Sequence, residues 1–324
     1  MDRCIYIWIV LASIACRINA RSAPLSGQNN YPIYGVYFSL GKREERMATV
    51  IGESGAWREI AENLRLCGIN VRRPNDVEPL LTHLRATYQP SVDQKKLEIA
   101  QSVASKENRI ADLHAEKGVW RSFLNWFLIR GCKMAIAQLH SEERQYVATL
   151  SANIRKLDTV RESAELVGAR AEFDVIACLA RLPDEYTVFS DIQLSAERYI
   201  HFNGAPLQSA QIDHLVLTPA GVFVIETKRW SRKFVESGDY HDPFDQTQRA
   251  AYLCYDQLRR QFGKIRVRSI IACAGQLPPI PKNSHVKVLA VPELIGYISW
   301  FKQPELAPDR LLQVRRYLER FVSA

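Results

Sequence analysis

Hydrophobic positions fall into contrasting patterns along the chain. Residues 211–230, QIDHLVLTPAGVFVIETKRW, contain two near-continuous apolar runs, Ile212–Leu217 and Val222–Ile225, joined by a turn at Pro219–Gly221. Runs without polar alternation predict strands buried on both faces of a sheet. Upstream, the pattern predicts a helix at Leu166–Leu182 and a strand at Thr187–Leu194, with Arg198–Asn203 pairing back on it across a turn. Downstream it predicts a helix at Phe244–Gln261, strands at Ile265–Cys273 and Val286–Val291, and a last helix from Pro308 to Phe321. The proline suits a first helical turn. Helix, strands, helix and strand in this order predict an α/β core with a mixed sheet over 166–324.

Residues 91–165 are polar, poor in Gly and Pro, and follow a helical period. Leu97, Ala100, Val103, Ile110 and Leu113 form one apolar seam; Leu139, Tyr146, Leu150, Ile154, Leu157 and Val160 form another. Two seams in one chain satisfy each other in a helical hairpin, with the bend expected between Gly118 and Gly131. The alternative is a coiled coil that makes a homodimer through 91–165. Residues 34–90 predict a small α/β module of no recognised role. Its strands are Ile33–Leu40 and Met47–Ile51, and its amphipathic helix is Trp57–Cys67, with Ile60, Leu64 and Cys67 in register and Gly68 as the stop. The stretch from Gly35 to Arg43 mimics a phosphate-binding loop. It has five residues between its glycines and Arg after Lys42, so that reading fails.

Residues 22–33 read as a linker behind an apolar N-terminal segment, 1–21. The run Cys4–Cys16 is uncharged but shorter than the roughly 20 residues a bilayer span requires. It reads as a signal or a short membrane tether. Arg17, Arg21, Lys42 and Arg43 follow it, which favours keeping the rest of the chain in the cytoplasm. The seven cysteines show no CxxC spacing, which argues for free thiols in a reducing compartment and against a zinc site or a disulfide framework. The expected location is therefore cytoplasmic, either free or attached to the inner face of the membrane. With 43 basic and 35 acidic side chains the chain carries a net charge of +8, which favours polyanionic partners such as nucleic acid or anionic lipid.

Charges inside the central strands change the picture most. Asp213, Glu226 and Lys228 sit in or beside the runs that should be most buried, where an unpaired charge costs several kcal/mol, roughly. Glu226 and Lys228 are two apart and share one face of their strand. The intervening turn brings Asp213 close to Glu226. Two nearby carboxylates repel unless a proton or a cation joins them. A hard divalent ion, Mg²⁺ with Mn²⁺ as a substitute, resolves the conflict with one or two carboxylates and several waters. Such an ion activates water and stabilises charge on a phosphoryl oxygen. Lys228 beside it is placed to orient the water or neutralise developing charge.

An acid on one strand and Glu-x-Lys on the next is the pattern of the PD-(D/E)xK nucleases. Residues 165–275 resemble, more narrowly, the nuclease-related domain family, NERD. The resemblance rests on Gln211-Ile212-Asp213-His214, then Pro219-x-Gly221-Val222-Phe223, then Ile225-Glu226-Thr227-Lys228. It extends upstream to Gly168-Ala-Arg-Ala171-Glu172, where alanine replaces the family's second glycine. Downstream, Asp242-Pro243-Phe244-Asp245-Gln246 has aspartate in place of asparagine. The resemblance implies Asp213, Glu226 and Lys228 as the catalytic core, Glu172 as an auxiliary acid and Gln246 as an orienting residue. The metal would sit on Asp213, Glu226 and the Thr227 carbonyl. Asp242 is placed to cap the helix that begins at Pro243. The implied fold is a restriction-endonuclease-like mixed sheet flanked by helices, preceded by the long hairpin and the small α/β module.

Basic residues Arg229, Arg232 and Lys233, interleaved with Trp230 and Phe234, are candidate contacts for phosphates and stacked bases. A second group, Arg259, Arg260, Lys264, Arg266 and Arg268, follows the next helix. Nothing here supplies base-specific readout. The expected activity is metal-dependent cleavage of nucleic acid, DNA foremost, with little sequence specificity. The alternative is a catalytically silent nucleic-acid-binding or scaffold protein that retains the nuclease fold. His214 reads as a packed strand residue, and His201, His241 and His285 lack ligand spacing.

Overall fold

A computed structural model describes residues 47–115, 119–231, 236, 242–277 and 285–323, with only the backbone of 119–121. The N-terminal apolar segment, the linker, the strand expected at 33–40, Arg232, Lys233, Phe234 and His241 lie outside the described residues. All those described belong to one unit, 43–324.

Six strands form one sheet in sequential order: β1 Thr49–Ile51, β2 Thr187–Phe202, β3 Ala205–Thr218, β4 Gly221–Lys228, β5 Val267–Cys273 and β6 Val286–Ala290. β2, β3 and β4 form an antiparallel meander. β1 joins β2 in parallel, and β5 and β6 continue in parallel from β4. The helices are α1 Gly55–Leu66, α2 Val77–Ala115, α3 Val119–Arg161, α4 Ala164–Leu179, α5 Pro243–Phe262, α6 Leu294–Ser299 and α7 Pro308–Glu319. One apolar layer joins the sheet to α5 and α7 through Leu253, Leu258, Val314 and Leu318. Another joins it to α4 and α6 through Val175, Leu179, Leu294 and Ile298. Two-sided cover explains why β3 and β4 lack polar alternation.

The β3–β4 turn is tighter than the sequence pattern alone required. Gly221 already belongs to β4, and its φ of +112° suits glycine. A Cβ there would stand 2.6 Å from the Arg266 carbonyl oxygen. The Thr218 hydroxyl stitches the turn by accepting from Ala220 N–H and donating to the Gly221 carbonyl.

Some expectations change. Residues 198–202 do not fold back on Thr187–Leu194; they prolong β2, which pairs with β3 past an irregularity between Ser195 and Ile200. Asn203 and Gly204, with φ of +50° and +80°, make the hairpin turn that a strand-ending Asn-Gly favours. Residues 47–90 contribute to the same sheet and core: β1 adds an edge to β2, and α1 packs with α4 through Trp57, Leu64, Leu166 and Ala169. Cys67 ends α1 exposed and out of the buried register.

The helical arm is an antiparallel hairpin of α2 and α3. Arg85 pairs with Asp158 at 2.7 Å, Tyr88 meets Ser151 at 3.0 Å, and Asn125 donates to the Leu113 carbonyl at 2.8 Å. α2 ends at Ala115, and α3 begins at Val119 and runs through Gly131 without a break. The α2 seam is carried by Val92, Ile99 and Leu113, with Val103 and Ile110 half-buried. Leu97 is 60% exposed and Ala100 also faces solvent, so the expected seam holds at Val103, Ile110 and Leu113, and Val92 and Ile99 take the place of the other two. Among the described residues, no helix is long and apolar enough to cross a membrane.

Candidate active site

The strand register sets one level of the sheet apart. β3 pairs with β4 through His214 and Ile225, so one step further places Asp213 opposite Glu226. β2 pairs with β3 through Ser190–His214 and Ile192–Ile212, which places Asp191 opposite Asp213. Three carboxylates thus lie side by side across three neighbouring strands.

Each is held differently. One oxygen of Asp213 accepts the Thr227 N–H at 2.7 Å. The ammonium of Lys228 donates to Glu226 at 2.6 Å, as two residues on one strand face can. Asp191 is 2% exposed, takes a φ of +54°, and accepts from Gln211 at 2.7 Å and from the Arg58 guanidinium. Glu172 comes from α4. It faces the start of α1, where the Ser54 hydroxyl and the Ala56 N–H favour its charged form. Ser54 caps α1, its hydroxyl accepting from the Trp57 N–H at 3.0 Å, and the helix N-terminus favours a carboxylate beside it.

Electrostatics bind these groups into one set. Burial, followed by the charges of Glu226 and Glu172, holds the Asp213 carboxyl well above its ordinary range; the Thr227 N–H and Lys228 offset part of this. Glu172 is also raised, chiefly by burial, then by Asp191 and Glu226. Behind them His214 is fully buried, its Nδ1 3.2 Å from the Ser190 hydroxyl and its Nε2 without a partner. Burial lowers its pKa to about 3, so it is a neutral core residue, as its place in the strand suggested.

A cleft of about 450 Å³ opens on this level, lined by Gly55, Ala56, Arg58, Glu59, Glu62, Glu172, Asp191, Gln211 and Asp213. α1 builds one wall. The loop before it presses on β2: a Cβ on Gly52 would stand 2.4 Å from the Ser190 carbonyl oxygen, and one on Gly55 2.8 Å from the Asp191 carboxylate.

The fold therefore brings Asp213, Glu226, Thr227, Lys228 and Glu172 together. Gln246 is exposed in the first turns of α5 and lines a smaller cavity with Arg249 and with Gln211, which also lines the cleft. Asp242 caps α5 as expected, accepting from Phe244 N–H at 2.9 Å with Pro243 in the first turn. Ala171, in place of the family glycine, is 1% exposed and fits its packing.

The basic candidates divide. Arg229 is exposed just beyond Lys228. Trp230 is 8% exposed and packs with Phe244, Ile271 and Val288, so it is a core residue and no stacking platform. Arg266 and Arg268 flank the start of β5, beside Val222 and Phe223, at the opposite end of β4 from the acids. Arg268 is structural: it lies 4.1 Å from the Phe301 ring centre and donates to the Ala220 carbonyl.

Sequence reasoning missed Asp191, Arg58, Ser54 and Gln211. Asp191 carried the same signal as Asp213, a charge inside the apolar run Val188-Phe-Ser-Asp-Ile192. Arg58 and Ser54 carried none, because their role depends on α1 packing against β2 and α4 more than a hundred residues away; Gln211 stood in the motif beside Asp213, but its bond to Asp191 appears only once β2 and β3 are paired.

Among the described residues, no group of three or more His, Cys, Asp or Glu side chains forms a ready-made metal cluster. The donor set still fits a hard cation. Two carboxylates and a backbone carbonyl suit Mg²⁺, which keeps several waters. The repulsion that raises Asp213 is the strain such an ion relieves.

An α/β sheet that carries acids on adjacent central strands and a lysine two residues past one of them defines a class of fold and site. Within it, residues 167–274 match the family model of the nuclease-related domain, NERD, whose general context is the PD-(D/E)xK superfamily. The matched stretch is framed by β1, α1 and the helical arm before it and by β6, α6 and α7 after it. Neither the curated proteins nor the solved structures contain a match.

Proposed function

We propose that the chain is a metal-dependent phosphodiesterase that cleaves nucleic acid, DNA foremost, with little sequence preference. The observation that carries the reading is the placing of Asp213, on the cleft, opposite buried Glu226 across β3 and β4, with Lys228 2.6 Å from Glu226. A purely structural sheet gains nothing from such charges at its centre.

Asp213, Glu226 and the Thr227 carbonyl would hold Mg²⁺, which when bound supplies an activated water and neutralises phosphoryl charge. The Thr227 N–H fixes one oxygen of Asp213 and leaves the other to the site. Lys228, 26% exposed beside Glu226, donates to a water or to a non-bridging phosphate oxygen. Glu172, lining the cleft opposite the start of α1, is the auxiliary acid. Arg229, with Arg232 and Lys233 following it in sequence, supplies phosphate contacts that carry no sequence information.

The test incubates the full chain with linear, nicked and single-stranded DNA, in Mg²⁺ or in EDTA, beside Asp213→Ala and Lys228→Ala. Cleavage should require the metal and vanish in both variants. Cleavage that survives either substitution removes the mechanism. Calorimetric titration with Mn²⁺ should give heat in the wild type and little in Asp213→Ala. Heat without cleavage of any of these substrates would favour a catalytically silent binding protein.

A further inference from the structure

The far end of the helical arm carries an apolar surface that the fold does not use. In the first turns of α3, Phe123, Leu124, Trp126, Phe127 and Leu128 are between 51% and 61% exposed, and Met134 is 66% exposed. Apolar side chains exposed singly need no explanation; a contiguous group of this size does. At about 100° per residue these side chains cover an arc of roughly 200° of the helix. Asn125 alone among them turns inward, to the Leu113 carbonyl of α2. A single partner helix covers a narrow stripe. An arc this broad calls for an apolar phase that wraps the tip.

Charge points the same way. Between Phe123 and Ser141 the sequence holds Arg130 and Lys133 and no acid; the first is Glu142. Both cations are exposed one to two turns behind the aromatic group, and Arg130 lies 5.6 Å from the Trp126 ring centre. On the facing end of α2, exposed Arg109 and Asp112 cancel. Tryptophan and phenylalanine ahead of a cationic collar match the layering of a bilayer surface, with rings at the acyl boundary and cations among headgroups.

We propose that the tip of the α2–α3 hairpin, Phe123–Met134, is an interfacial anchor that inserts into an anionic lipid surface. The arm projects roughly 50 Å from its base, at 1.5 Å per residue, and holds the rest of the unit away from the lipid. Each basic residue near an anionic surface contributes about fivefold in affinity.

The test is flotation of the full chain with vesicles of phosphatidylcholine alone or with one third phosphatidylglycerol. The wild type should float with the anionic vesicles at least tenfold better than with the neutral ones. Trp126→Ser/Phe127→Glu should reduce this at least tenfold, and Arg130→Glu/Lys133→Glu should remove the preference for anionic lipid. Circular dichroism and size-exclusion mass, taken on every variant, should match the wild type. All variants retain the N-terminal apolar run, so equal flotation of wild type and variants would place any binding there and overturn the proposal. A wild-type dimer that becomes monomeric in Trp126→Ser/Phe127→Glu, with no flotation by either, would overturn it in favour of a second copy on the tip.

Discussion

Asp213→Asn should make the protein more stable and catalytically dead at the same time. The substitution keeps an oxygen for the Thr227 N–H, now 2.7 Å from the aspartate, and removes only the charge. Side chains directly opposite on antiparallel strands have Cβ atoms roughly 5 Å apart. Two unit charges at that separation repel by about 3 kcal/mol at an effective dielectric constant of 20. Lys228 offsets a share of this, so the expected gain at neutral pH is about 1–2 kcal/mol, or a few degrees in Tm. The pH profile separates this from a general packing effect. A carboxyl raised above its unfolded value binds more protons when folded. Its destabilising effect is therefore absent below its ordinary value of 3.8 and grows as pH rises towards the raised one. His214 acts in the opposite sense: its ring, ordinarily near 6.5 and lowered to about 3, removes stability as pH falls through that interval. The difference between wild type and variant cancels the histidine. Thermal denaturation in EDTA from pH 4 to 8 should show that difference opening with pH. Saturating Mg²⁺ should then raise the Tm of the wild type and leave the variant unmoved. A variant less stable than the wild type at pH 7, or a difference that does not change with pH, refutes the argument.

Arg58→Ala leaves Asp191 buried without its cation and should cost about 2–3 kcal/mol, with Asp191→Asn in the same chain recovering most of it in chemical denaturation. Gly52→Ala combines a φ of +87° with a clash on the Ser190 carbonyl, and should cost about 1–3 kcal/mol and speed hydrogen exchange at β1 before it does so at β4. Arg268→Ala should cost about 1–2 kcal/mol through its lost stacking on Phe301 and Phe223 and leave DNA affinity unchanged. Arg229→Ala should do the reverse, altering stability by less than about 0.5 kcal/mol and lowering the salt slope of DNA binding by about one.

The legible part of the molecule was the part whose physics is local. Strand burial, the β3–β4 turn, the Asp242 cap and the pairing of Lys228 with Glu226 all depend on neighbours within a few positions, or on a tight hairpin that fixes the register. The central acids were legible for a related reason: charges in an apolar run contradict their surroundings. What stayed hidden depends on contacts distant in sequence. β1 pairs with β2 across some 138 positions, Thr49 with Thr187, and no periodicity in 47–51 names its partner. Ser54 and Arg58 look like ordinary helix-start and surface residues until α1 is docked on Glu172 and Asp191. Trp230 misled because an aromatic among basic residues has the composition of a stacking platform, and only burial shows otherwise. The α2 seam was legible at Val103, Ile110 and Leu113 but not before them, because Leu97 and Ile99 are both apolar and α3 decides which of them faces inward.

Glu78 near the start of α2 and Arg161 at the end of α3 stand 3.8 Å apart. The arm thus departs from the body and rejoins it at a single point, like a branch on a stem. Its reach can lengthen or shorten a turn at a time in both helices without asking anything of the strands. A short loop in its place would leave the cleft walls standing, so the arm and the sheet are free to diverge at different rates.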